Sequence, residues 1–295
     1  MIKINTSLYC YADYYNFLKT LLSKNQLPQS IIINGEEGSG KKTFLSKFLV
    51  DHTLSENNQI NDAEIDYYDN LFSNKYQNLR VIKAIDNSIG INAIRELIFF
   101  CNQRSLDGKK KFILINNIEN LTIEATNSLL KLLENPPSDT FLILLKNLEC
   151  NVNETILSRC FKINIKFNVV TKQEIFKKLL SFYKISDYNA SIFNDYEAPG
   201  LKIRKILYLK EKNIENLSLK EIVMYCLNDY KNNKNFSALN LAGSFFKNYF
   251  YLNYKYNIAK SYKFYNFFIN SIKNTVIFNS DIGYLSTKLK YSKHE

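Results

Sequence analysis

With 295 residues, 46% of them hydrophobic, the chain can bury a sizeable core and has the length of one large domain or two to three small ones, which excludes wholesale disorder. No apolar run approaches the roughly 18 residues that span a bilayer, and Met1 to Asn5 lack a signal peptide's apolar stretch, so a cytoplasmic protein without membrane attachment is expected. The formal charge of +11 is uneven, with 16 Lys or Arg against 6 Asp or Glu from Leu201 to Glu295; such an excess attracts nucleic acid or acidic protein surfaces, and in a composition leaning to Lys, Asn, Ile and Tyr its simpler reading is a solvated face.

Tyr14, Phe17, Leu18, Leu21 and Leu22 recur at three- and four-residue steps and predict an amphipathic helix between Tyr11 and Asn25, ended by Leu27-Pro28. Ile31-Ile32-Ile33 is a continuous apolar run of the kind found in buried parallel strands, followed by a glycine-rich turn and a helical pattern from Phe44 to Val50. Asp51 to Leu79 is polar, rich in Asn and Asp, and free of cysteine. Strands are then expected over Val81–Ile85, Phe112–Ile115, Phe141–Leu145 and Phe161–Ile165, with helices over Ile91–Asn102 and Ile123–Glu134. This alternation implies crossover units and a mostly parallel sheet covered on both faces, an α/β fold.

After Asn168 the strands stop. Thr171 to Tyr183 and the stretch after Gly200 read as helical, which puts boundaries near Asn168 and Lys212 and divides the chain into residues 1–168, 169–211 and 212–295. The Tyr and Phe residues between Phe236 and Tyr291 read as helix core rather than as a base-stacking platform.

Gly35-Glu36-Glu37-Gly38-Ser39-Gly40-Lys41-Lys42-Thr43 matches the phosphate-loop pattern through Gly-x-x-x-x-Gly-Lys. In such a loop the glycines let successive N–H groups and the helix N-terminus face the phosphates, while the lysine adds a point charge. The next position requires a hydroxyl to hold Mg²⁺, but Lys42 stands there and Thr43 comes one place late. The strand Phe112–Ile115 would then end in Asp-Glu in a hydrolase, the aspartate orienting the metal and the glutamate activating water. Here it ends in Asn116-Asn117; an amide is no general base and a poorer partner for a hard cation. Glu119 follows, beyond the strand end, and would need a register shift to substitute. Lys42, Asn116 and Asn117 all remove metal or base function while the glycines and Lys41 remain, so the loop is expected to hold ATP or ADP without cleaving it, with Mg²⁺ only if nucleotide is bound. Five cysteines without a Cys-x-x-Cys pair and two histidines argue against zinc.

Further motifs follow in order: Ile94-Arg95-Glu96-Leu97; Asn127-Ser128-Leu129-Leu130-Lys131-Leu132-Leu133-Glu134-Asn135-Pro136-Pro137; and Thr155-Ile156-Leu157-Ser158-Arg159-Cys160. Together with Leu27-Pro28 and the phosphate loop, they resemble the bacterial clamp-loader AAA+ family and, within it, the delta prime subunits, where a Gly-Lys-x-Thr loop like Gly40–Thr43 is common. The resemblance runs from about Leu27 to Cys160. It implies a P-loop AAA+ domain, a small helical lid and a helical C-terminal collar for oligomerisation. It also implies that Arg159, with Ser158 before it in the Ser-Arg-Cys signature, acts as an arginine finger in a neighbouring subunit's ATP site. The implied partners are the gamma/tau motor and delta subunits, the sliding clamp, and primed DNA through the complex. Near Ala198-Pro199-Gly200 the family places a second sensing arginine, whereas this chain has Leu201 and Lys202; a first sensor falls near Lys146 or Asn147.

Two other readings compete. An ATP-hydrolysing motor, gamma/tau or another AAA+ ATPase, would require an acidic residue at position 116 or 117 and a hydroxyl at 42. An autonomous DNA-binding module in the basic C-terminal region would require a recognisable motif, and no helix-turn-helix or finger pattern is present.

Overall fold

Every expected strand forms, and all five run parallel. The computed structural model describes residues 10–53, 77–85, 87–103, 108, 110–253, 258–278 and 282–291, so most of the polar stretch from Asp51 to Leu79 lies outside the described residues. The strands are β1 (Ser30–Gly35), β2 (Leu79–Ile82), β3 (Lys111–Ile115), β4 (Thr140–Asn147) and β5 (Phe161–Ile165), in the order β2-β3-β4-β1-β5. Because β1 lies between β4 and β5, the sheet has its topological switch at β1, and the crevice outside the carboxyl ends of such strands is where open α/β sheets bind ligands.

Successive strand residues point to opposite faces, so each apolar run feeds two cores. Ile31, Ile33, Phe112, Leu114, Ile143 and Leu145 pack with Leu18 of α1 (Ala12–Ser23) and with Phe44 and Phe48 of α2 (Lys41–Thr53). Ile32, Ile113, Ile115, Leu142 and Leu144 pack with Ile94 and Leu97 of α3 (Ile91–Asn102) and with Ala125, Leu129, Leu132 and Leu133 of α4 (Ile123–Glu134). Lys111, buried at the start of β3, donates its ammonium to the carbonyl oxygens of Phe100 (2.9 Å) and Gln103, closing the carboxyl end of α3 whose last carbonyls lack helical partners. Two further helical segments follow β4 and β5: the short α5 (Glu154–Ser158) and α6 (Val169–Phe182).

The strand expected over Val81–Ile85 runs instead from Leu79 to Ile82. Pairing with β3 sets Leu79 opposite Phe112 and Ile82 opposite Ile115, which turns Leu79 and Val81 into the core. Ile85 instead exchanges backbone hydrogen bonds with Ser88 across a tight turn and is 75% exposed.

The chain divides into two compact units, residues 1–182 with 198–201 and residues 183–197 with 202–295. The boundary expected near Asn168 falls between β5 and α6, and the one near Lys212 at the end of α7 (Pro199–Lys212). The second unit is helical, comprising α7 from Lys202, α8 (Leu219–Asn233), α9 (Phe236–Asn253), α10 (Ile258–Phe278) and α11 (Gly283–Tyr291). Val223, Cys226 and Tyr230 of α8 are buried, as are Leu239, Phe245 and Phe246 of α9, and Phe246 stacks on Phe268 of α10 with ring centroids 3.7 Å apart. Lys205, wholly buried, is ion-paired with Glu197, whose carboxylate also accepts from Ser244 Oγ (3.1 Å) and Asn248 Nδ2 (3.3 Å). No described helix is long and apolar enough to cross a membrane.

Candidate functional site

The glycine-rich loop joins β1 to α2 at the carboxyl edge of the sheet, with Gly35 paired to Asn147 of β4 on one side and to Ile165 of β5 on the other. Gly38 and Gly40 have φ of +77° and +96°. At Gly38 the glycine is required twice over: a Cβ would be strained by the positive φ and would lie 2.3 Å from the Leu201 backbone nitrogen. The first turn of α7 sits directly on this apex, with Gly200 donating its N–H to the Gly38 carbonyl at 2.9 Å. Gly200 is needed for the same approach, since its own Cβ would come 2.5 Å from that carbonyl oxygen. The Ala198-Pro199-Gly200 segment thus meets the loop through backbone rather than through an arginine.

Lys41 is 7% exposed, and its ammonium turns back on its own loop, donating to the Gly35 carbonyl (2.6 Å), the Glu36 carbonyl (2.8 Å) and Asn147 Oδ1 (3.4 Å). Of the two candidates for a first sensor, Asn147 is therefore the one that reaches the loop lysine; Lys146 donates to the Asn147 carbonyl at 3.1 Å. The Glu36 carboxylate pairs with Lys172 of α6 at 2.6 Å. Tyr11 supports the loop from below, its hydroxyl donating to the Ser39 carbonyl (3.1 Å) and its ring stacked on Phe44.

Asn116 keeps β3 in register by donating its N–H to the Ile82 carbonyl at 2.9 Å. Asn117 then takes a left-handed conformation, φ 57° and ψ 63°, and opens a single 3₁₀ turn over Ile118–Asn120. That turn carries Glu119 back against the end of β4, where its carboxylate accepts from Asn147 Nδ2 (2.5 Å) and the Asn147 N–H (3.4 Å). No register shift is needed for Glu119 to join the site; the left-handed residue supplies the reversal. Burial raises the Glu119 carboxyl above its ordinary value, while hydrogen bonding and the nearby Lys41 and Lys146 ammonium groups oppose the rise. Sequence reasoning missed this contact and the Lys172–Glu36 pair. An asparagine pair after an apolar strand is the one signal that could have suggested the turn, since asparagine tolerates the left-handed region.

The loop residues suit one part of a nucleotide and not another. The amino end of the thirteen-residue α2, the glycine turn, Lys41 and the Ser39 hydroxyl suit a phosphate; Ser39 is 8% exposed and its Oγ has no hydrogen-bond partner among the described residues. The donor set does not suit a divalent cation, because Lys42 replaces the hydroxyl and Asn116 and Asn117 replace the carboxylates.

Arg159 lies elsewhere. It caps α5, two residues before Phe161, and Phe161 pairs with Ile31 near the amino end of β1. The loop leaves the other end of the same strand, so the length of β5, about 13 Å at roughly 3.3 Å per strand residue, separates the end near Arg159 from the end near the loop. Its exposed guanidinium donates to the Thr155 carbonyl (3.2 Å) and to Glu134 Oε1 (2.6 Å), joining the Ser-Arg-Cys signature to the end of the Asn127–Pro137 motif. Ser158 Oγ donates to the Thr155 carbonyl at 3.0 Å.

Comparison with known proteins bears on the family and the fold. The protein-family model described as DNA polymerase III, delta subunit, matches residues 11–168. The chain is 31% identical over 117 residues to DNA polymerase III subunit delta' of Buchnera aphidicola, covering 35% of each chain. It is 27% identical over 195 residues to Replication factor C subunit 3 of Arabidopsis thaliana, covering 57% of this chain and 51% of that one. These matches span about a third to a half of the relatives' own length. A gamma subunit-related protein of Thermotoga maritima aligns in structure at 19% identity and a TM-score of 0.50, over 92% of this chain and 96% of that one, a likeness of fold.

Proposed function

We propose a role that proceeds from one premise: the chain belongs to the DNA polymerase III, delta subunit, family. Its relatives include delta', gamma/tau and replication factor C subunits. Within that family the chain acts as a non-hydrolysing, delta prime-type AAA+ subunit of a clamp loader. It works beside gamma/tau motor and delta subunits to help load a sliding clamp onto primed DNA, in the cytoplasm. The helical segments after β5 serve as lid and collar, and the phosphate loop holds ATP or ADP without turning it over.

The observation that carries this reading is the separation of the two halves of the chemistry. The loop end of the sheet keeps Gly35, Gly38, Gly40 and Lys41 but has Lys42, Asn116 and Asn117 where metal and base groups belong, while the signature arginine is exposed at the opposite end. An arginine so placed cannot serve its own loop, and its planar, permanently charged guanidinium suits a transferring phosphoryl group on a neighbour. Such fingers are worth about 10³ to 10⁵ in rate. The Glu134 partner lies on the same exposed surface, so engaging a neighbour's phosphate exchanges one anion for another.

The test is reconstitution with motor and delta subunits from the same source, measuring clamp- and DNA-stimulated ATPase. We expect the isolated chain to be silent and Arg159→Ala to lower the turnover of the intact complex at least tenfold. Hydrolysis by the isolated chain, unaffected by Arg159→Ala, would replace this reading with that of a motor subunit.

A further inference from the structure

We infer that Glu119 is a positioning residue of the phosphate loop: acting through Asn147, it holds the Lys41 ammonium on the loop's own carbonyls and so opposes capture of a nucleotide phosphate there. The inference concerns regulation of the site and rests on reading the loop as one that takes nucleotide.

The geometry starts from charge. Lys41 Nζ donates to two carbonyls and an amide oxygen, all three neutral, and a buried ammonium gains from a negative charge placed near it. The Glu36 carboxylate, five residues before Lys41, is turned to Lys172. Asn116 and Asn117 bring amides where other phosphate-loop proteins bring acids. One negative charge that reaches the lysine is that of Glu119, relayed by one side chain: Asn147 donates Nδ2–H to Glu119 Oε1 and accepts from Lys41 at Oδ1. Each bond polarises the amide in the sense that strengthens the other.

The relay is tied to the backbone as well, since Asn147 is the last residue of β4 and its N–H also donates to Glu119. An incoming phosphate must therefore compete with a preorganised internal anion for the same ammonium. A nucleotide would bind when Lys41 exchanges Glu119's field for the phosphate's. Glu119 thus acts on the lysine rather than on a metal or a water.

The full chain tests this with two readouts. The first is pulsed acetylation of Lys41, read by peptide mass spectrometry; the second is titration with fluorescent mant-ADP. Glu119→Gln keeps the shape and removes the charge, Asn147→Ala breaks the relay and leaves Glu119 in place, and Glu119→Asp retains the charge. In both of the first two variants, with native circular dichroism, Lys41 should acetylate at least threefold faster than in wild type and mant-ADP should bind about tenfold tighter. The gain in affinity should vanish in a Lys41→Met background, and Glu119→Asp should return toward wild type. Unchanged Lys41 reactivity in both relay variants overturns the inference, even where mant-ADP binds in a Lys41-dependent way and the nucleotide reading stands. Faster acetylation with no mant-ADP binding by any variant keeps the restraint and overturns the nucleotide reading instead.

Discussion

Lys41 and Glu119 meet through Asn147 in a setting where burial works against charge, and this gives the site a pH signature. Burial holds the Glu119 carboxyl above its unfolded value, so between the two values the folded chain binds more protons than the unfolded one. Stability from this group is fully present at low pH and falls as pH rises through that interval. Wild type should therefore lose stability relative to Glu119→Gln as pH is raised from about 4 toward neutrality, measured by urea unfolding at each pH; parallel curves for the two proteins would contradict the burial. Gly38 offers a second residue-scale test. Alanine there meets both the left-handed φ and the Leu201 backbone, for a combined loss of about 2–5 kcal/mol. Gly40→Ala shares the positive φ but finds only the Tyr11 ring at 3.6 Å, so thermal unfolding should show the smaller loss. Equal losses would mean that contact with the start of α7 contributes nothing.

At the scale of elements, α4 combines a local start signal with a tertiary role. Thr122 caps it by accepting from the Ala125 N–H at 3.2 Å, and Thr122→Ala should cost about 1 kcal/mol. Leu129, without exposure in the middle of the same helix, packs under the sheet, and Leu129→Ala should cost about 2–5 kcal/mol, whereas Ile123→Ala, at a position 77% exposed, should be near neutral. Chemical denaturation of the three variants checks the order. Helix α4 was legible in full because its apolar residues recur at helical spacing and its cap precedes them. Strand β2 was misplaced because a four-residue run has too little periodicity to fix register, which its hydrogen bonds to β3 decide.

At the scale of the whole molecule, the helical unit is organised around a buried ion pair, Lys205 with Glu197, that reaches α9 through Ser244 and Asn248. Lys205→Met should cost about 3–5 kcal/mol by stranding Glu197, and Lys205→Met with Glu197→Leu should recover much of it, since the penalty lies in the unpaired charge. Equilibrium unfolding of single and double variants distinguishes this from simple loss of packing, which would add. Nothing in a Lys- and Glu-bearing stretch marks these two residues as partners. By itself the sequence determined what depends on local pattern: apolar runs alternating with helical spacing imply the parallel sheet, and Gly-x-x-x-x-Gly-Lys implies the glycine-rich turn between β1 and α2. Only the tertiary structure decided what depends on chain reversal and non-local pairing. It seats Gly200 on Gly38, returns Glu119 to Asn147 and Lys41, and sets Arg159 at the far end of the sheet from its own loop. Such contacts join residues 28 to 162 positions apart, and their energies come from burial and hydrogen bonding that no short window of sequence contains.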